Sequence, residues 1–129
     1  MRLVLDTCAL LWLSLEPESL SQKARRYCER IPETGCLIAS ISFFEIGLKV
    51  KSKKLSIGMS IDEFYENVVS TNMFEIVSID EQIWFSSLKL RWEHRDPIDR
   101  IIVAIAKLNN AFLLTKDEKM RKFYKQSIW

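Results

Sequence analysis

The sequence predicts an α/β protein whose mostly parallel sheet is covered by helices on both faces. Two observations carry this. Short apolar runs recur at residues 2–5, 36–39, 74–79 and 111–115, and the segments between them read as capped or amphipathic helices. The chain also holds only three glycines and three prolines in 129 residues, which suits a single domain over 1–129 without linkers.

Each element follows from local chemistry. Residues 2–5 are apolar strand formers, and the leucine, alanine and tryptophan of residues 8–15 favour a helix directly after them. Residues 21–31 predict a polar helix, introduced by Ser19-Leu20-Ser21 and ended near Pro32. Gly35 precedes a second strand at 36–39, after which Ser40 or Ser42 caps a helix to about Lys51. Ser60-Ile61-Asp62-Glu63 has the spacing of a capping box and opens a helix to about Ser70. A third strand at 74–79 leads into a helix from Asp80 to about Trp92. Asp96-Pro97 starts the most apolar helix, which runs to about Asn109. A fourth strand at 111–115, a short helix at 117–124 and an edge strand at 127–129 complete the chain.

Bulk composition narrows the function less than it narrows the fold. An apolar share of 48% with 28% charged residues is ordinary for a soluble protein, and a net charge of +2 requires any nucleic-acid surface to be local. Cys8, Cys28 and Cys36 are odd in number and lack CxxC spacing, which fits a reducing cytoplasm better than a disulfide framework or a zinc cluster. Arg2 and the apolar stretch after it imitate a signal peptide, but Asp6 interrupts the stretch and no small-residue cleavage site follows. The run at 101–106 is far shorter than the ~20 residues a membrane helix needs, so no membrane contact is expected.

The informative feature is where the acids fall. Asp6 interrupts Leu3-Val4-Leu5-Asp6-Thr7-Cys8-Ala9-Leu10, and Glu45, Asp99 and Asp117 likewise stand at the edges of apolar segments. An ionised carboxylate in such a setting must be paired or must bind a metal. Asp6 and Asp117 end predicted strands, where parallel sheets collect ligands, although either acid also serves as an N-cap. Glu45 shares a helical face with Ile41 and Leu48, which points it inward, with Lys49 as its alternative partner. Asp96 reads mainly as the N-cap before Pro97, whereas Asp99 projects on the side of Ile102, Val103 and Ala106.

Carboxylates that converge in a partly dry pocket repel one another and resist ionisation. Mg²⁺ or Mn²⁺ removes that penalty, takes oxygen ligands and retains waters, which is what phosphodiester hydrolysis needs. Thr7, Ser40, Ser42 and Thr115 stand near the acids as hydroxyl groups able to orient water, or as ordinary caps. Lys49, Lys51, Lys53 and Lys54 offer a basic run after Glu45, and Arg95 and Arg100 flank the acidic motif as contacts to phosphate or to an acid. His94, the lone histidine, is not required by this chemistry.

Leu5-Asp6-Thr7 with Leu10-Leu11-Trp12, Ser40-Ile41-Ser42-Phe43-Phe44-Glu45-Ile46 with Lys49, His94-Arg95-Asp96-Pro97-Ile98-Asp99-Arg100, and Leu114-Thr115-Lys116-Asp117 with Tyr124 together resemble a PIN domain. The likeness is narrower to the VapC-like toxins of toxin–antitoxin pairs, with Phe44 standing where that family often has tryptophan. It implies a three-layer α/β/α sandwich and an endoribonuclease dependent on Mg²⁺ or Mn²⁺. Asp6, Glu45, Asp99 and Asp117 would be its acidic quartet and metal ligands, with Asp96 supporting. It further implies an RNA substrate, homodimers and a cognate antitoxin whose tail covers the active site. Two other readings remain open on the sequence: a non-catalytic module that binds RNA or a protein, with Trp12, Phe43, Phe64 and Tyr65 lining a groove, and a phosphoryl-transfer domain of the receiver type. The latter wants an acidic pair near the first strand, which Asp6-Thr7-Cys8 does not supply.

Overall fold

Five short strands form one sheet in the computed structural model, which describes residues 1–129. They are β1 (Leu3–Leu5), β2 (Cys36–Ala39), β3 (Glu75–Val77), β4 (Phe112–Leu114) and β5 (Ser127–Ile128). Their order is β3-β2-β1-β4-β5 and every neighbouring pair is parallel. Eight helices connect them: α1 (Thr7–Leu15), α2 (Gln22–Glu29), α3 (Ile31–Thr34), α4 (Ser40–Lys51), α5 (Ile61–Ser70), α6 (Glu81–Lys89), α7 (Pro97–Leu108) and α8 (Glu118–Phe123).

Strand alternation builds the layers. Leu3 and Leu5, with Cys36, Ile38 and Leu114, face a core that takes Ala9 and Leu10 of α1, Ala24 and Cys28 of α2, Phe43 and Ile46 of α4, and Phe64 and Val68 of α5. Val4, Leu37, Ala39 and Leu113 point the other way, onto α7 and the buried residues of α6 and α8. The result is the three-layer α/β/α sandwich that the sequence resemblance implied. Helix α7 buries six consecutive residues, Ile101–Ala106, so its interior run is apolar all round rather than amphipathic. Its larger aliphatics contribute roughly 1.5–3 kcal/mol each on burial, which makes α7 the firmest support available to Asp99 at its start. No helix is long and apolar enough to cross a membrane.

Three expectations are corrected. The polar helix does not end near Pro32: α2 stops at Glu29, and Pro32 lies in the first turn of α3, where a missing N–H costs nothing. Neither Ser40 nor Ser42 caps α4. Its N-cap position is Ala39, and the buried Ser42 hydroxyl accepts a hydrogen bond from Thr7 instead. Helix α6 ends at Lys89, short of Trp92, where the backbone turns extended at Leu90, and the carbonyls of Leu90 and Trp92 accept hydrogen bonds from Arg100. Residues 90–96 are consequently irregular.

Candidate active site at the strand exits

β2 and β3 extend the sheet to one side of β1, while β4 and β5 extend it to the other. The order therefore reverses between β1 and β4, and parallel sheets bind ligands in the crevice beyond the carboxyl ends of the strands at such a switch. Parallel pairing sets Leu5 opposite Leu114, so the residues that follow, Asp6 and Thr115, stand side by side at its floor. The Asp6 N–H donates to the Leu114 carbonyl at 3.2 Å, which fixes the backbone there.

Asp6 is buried, with 7% of its surface exposed. Its Oδ1 accepts from the Ala9 N–H at 2.8 Å, so it does cap α1, and its Oδ2 accepts from the buried Thr115 hydroxyl. Capping and site geometry coincide rather than compete. Burial pushes the carboxyl up to about 6, against the lowering effect of Thr115 and Ala9, and the neighbouring charges of Asp99 and Asp117 push it further in the same direction.

Asp99 occupies the first turn of α7 and is half-buried. Its pKa is likewise raised, first by burial, against hydrogen bonding to His94, and then by Asp96 and Asp117. Asp117 caps α8 through Oδ1, which accepts from Met120 at 2.9 Å, while its own N–H donates to the Thr115 hydroxyl at 3.0 Å. Asp96 caps α7 by accepting from Ile98 and Asp99. Asp99 and Asp117 lie near enough to Asp6 for their charges to raise its carboxyl, and Asp117 acts on Asp99 in the same direction.

Glu45 differs from them in having a cation of its own. Its side chain is 18% exposed and pairs with Lys49 at 3.8 Å. The buried stripe of α4 is Ser42, Phe43 and Ile46; Ile41 packs against the core and Glu45 is largely covered, as read from the sequence, but Leu48 lies in solvent and is corrected. Glu45, Asp6 and Asp99 all act on the Cys8 thiol, whose pKa is raised first by burial and then by these three charges, against the lowering effect of Lys49.

Several supporting residues have firm assignments. Thr7 and Ser42 bond each other, joining α1 to α4 under the crevice, and Thr115 serves both Asp6 and Asp117. Arg100 holds no acid: its guanidinium donates to the carbonyls of Ser87, Leu90, Trp92 and His94 and locks the loop before α7. Ser40 makes no side-chain bond to the acids. The aromatic groove does not exist as a unit, because Phe64 is fully buried and Trp12 packs on Trp129.

His94 is the residue sequence reasoning passed over. Its Nε2 lies 2.7 Å from Asp99 Oδ2, and it donates there whenever Asp99 is ionised. His94, Asp96 and Asp99 present potential ligand atoms within 4.8 Å of one another. The one usable signal was its place five residues before Asp99 in a single motif. The donor set otherwise consists of carboxylates, with Asp6 oriented through both oxygens and Asp99 and Asp117 through one each, and oxygen donors suit a hard divalent cation.

The PIN domain profile matches residues 3–126. Ribonuclease VapC22 of Mycobacterium tuberculosis (strain ATCC 25618 / H37Rv) is 26% identical over 119 residues, covering 92% of this chain and 88% of its own length. Among solved structures, VapBC2 from Rickettsia felis bound to a DNA fragment from its promoter superposes with a TM-score of 0.67 at 18% identity. That match covers 95% of this chain and 93% of the other. A toxin–antitoxin complex from Klebsiella pneumoniae gives a TM-score of 0.64 at 19% identity, covering 98% and 95%.

Proposed function

The chain belongs to the PIN domain family, and on that premise we propose that it is a ribonuclease toxin that hydrolyses RNA phosphodiester bonds with Mg²⁺ or Mn²⁺. The observation that carries this reading is the buried Asp6, raised to about 6 and beside two further acids at the switch in strand order. A protein gains nothing in stability from such a group, whereas a divalent cation would make its ionised form favourable. The whole of 1–129 acts as one nuclease domain in the cytoplasm, as a homodimer restrained by a cognate antitoxin. The similarity to Ribonuclease VapC22 and to structures of toxin–antitoxin complexes supports that assignment. A receiver-type phosphoryl-transfer role is set aside by the family.

Asp6, Asp99 and Asp117 would hold the cation, with Glu45 completing the set from α4 and Asp96 supporting. The chemistry a bound Mg²⁺ or Mn²⁺ supplies is water activation and charge compensation at the phosphate. The protein's part is orientation. Ala9 and Thr115 fix both Asp6 oxygens in direction, His94 turns the Asp99 carboxylate, and Arg100 anchors the loop that carries His94. Thr115 couples Asp6 to the Asp117 backbone, so the exits of β1 and β4 move as one unit.

The test is cleavage of single-stranded RNA by the purified chain with added Mg²⁺ or Mn²⁺. Activity should vanish in EDTA and in Asp6→Asn and Asp99→Asn, with circular dichroism unchanged. Equal cleavage by both variants would overturn the assignment.

A further inference from the structure

A second concavity, of about 650 Å³, lies between the loop that precedes α7 and helix α8. Trp92, His94 and Phe123 line it together with Arg91, Lys119 and Lys122. Glu93 is the one acid in its wall. None of the three cations has an acidic partner within 4.0 Å, and none donates a side-chain hydrogen bond within the protein. The rings form a continuous stack: Trp92 lies against His94 at 4.6 Å and against Phe123 at 4.7 Å, the latter pair within 9° of parallel. The same His94 reaches Asp99 at 2.7 Å, so this cavity begins one side chain away from the candidate catalytic acids.

A substrate that approaches Asp6, Asp99 and Asp117 brings negative charge to negative charge. A chain with a net charge of only +2 cannot offset this through its overall field, so local cations must. Unpaired lysines beside half-buried aromatic rings are the combination that holds a single strand, with phosphates on the ammonium groups and a base on a ring. Building on the ribonuclease reading, we propose that this cavity receives the RNA nucleotides next to the scissile phosphate. Lys119, Lys122 and Arg91 take their phosphates, and an unpaired base packs against the ring stack. A duplex hides its bases, so the cavity selects single-stranded RNA.

The experiment measures binding of a labelled 12-nucleotide RNA by fluorescence anisotropy across a salt series. The Asp6→Asn protein serves as the parent, so that cleavage does not intervene. Combining Lys119→Ala with Lys122→Ala should weaken binding about tenfold at low salt and flatten the salt slope by about 1.4, near 0.7 for each lost contact to a single strand. Lys107→Ala, which removes an exposed cation from the other end of α7, should leave both values in place. The single strand should bind more tightly than the same RNA in a duplex. An unchanged slope and affinity in the lysine variant overturns the subsite and leaves the cavity to a protein partner. Equal binding of duplex overturns the stacking role. If the parent binds no RNA at all, the ribonuclease reading fails and this inference falls with it.

Discussion

Asp6 and Glu45 are both acids set among apolar residues, yet the fold treats them differently. Asp6 is nearly inaccessible, its hydrogen-bond partners are a neutral amide and a neutral hydroxyl, and its carboxyl resists ionisation up to about 6. Glu45 keeps a fifth of its side chain in solvent and carries its own cation, Lys49, one helical turn away. An acid with a built-in counterion is content in the bare protein. An acid held only by neutral donors in a dry crevice, beside two more acids, is poised for a cation that the chain itself does not provide.

The comparison breaks most visibly under substitution at Asp6. Asp6→Asn should reduce RNA cleavage by more than about a hundredfold, since even groups that merely orient metal ligands are worth 10- to 100-fold. The same change should stabilise the metal-free protein, because it removes a carboxylate whose ionisation opposes folding. A carboxyl held up at about 6 corresponds to ~3 kcal/mol at neutral pH. Thermal unfolding in EDTA, run beside the cleavage assay, tests both halves. Loss of activity together with loss of stability would mean that Asp6 is structural.

The next effect belongs to Arg100. Arg100→Ala frees four carbonyls that now share one guanidinium, and it should cost several kcal/mol, at ~1–3 kcal/mol for each group left buried and unpaired. Activity should fall with it, because the loop that presents His94 to Asp99 loses its anchor. Denaturant unfolding is the readout, and a change under about 1 kcal/mol would deny Arg100 this role.

A pH series sharpens the contrast without mutation. In EDTA the folded protein keeps the Asp6 proton longer than the unfolded chain does, because the folded carboxyl titrates near 6 rather than 3.8. Stability should therefore fall as pH rises from about 4 to about 6, the reverse of a salt-bridged acid. Saturating Mg²⁺ should flatten or reverse that slope. Asp6→Asn should flatten it in EDTA.

Glu45 should give the smallest effect. Glu45→Gln is expected to change stability by no more than about 1 kcal/mol, the range of a single long ion pair, and to lower activity less than Asp6→Asn does. Cleavage rates at matched metal concentration decide this. A loss equal to that in Asp6→Asn would mean that Glu45, despite its Lys49 partner, is as necessary to the cation as Asp6, and would erase the distinction.

The sequence made much of this visible because parallel strands are apolar runs and their exits interrupt them with polar residues. Asp6 and Asp117 could be found that way, and Asp99 through the cap at Asp96-Pro97. What failed depended on partners distant in sequence. The carbonyls beyond the end of α6 find their partner in Arg100, ten residues past Leu90, which no local pattern announces. On α4 only Leu48 was misplaced, because composition alone does not distinguish an exposed leucine from a buried one. His94 carries no periodic signal, and its value appears only once the loop folds it back onto Asp99.

The most direct test is calorimetric titration of Mn²⁺ into the metal-free protein at pH 6, in two buffers of different ionisation enthalpy. The account predicts saturable binding with release of protons, since Asp6 must give up its own, and loss of that binding in Asp6→Asn. No binding by the native chain, or equal affinity in Asp6→Asn, would contradict it.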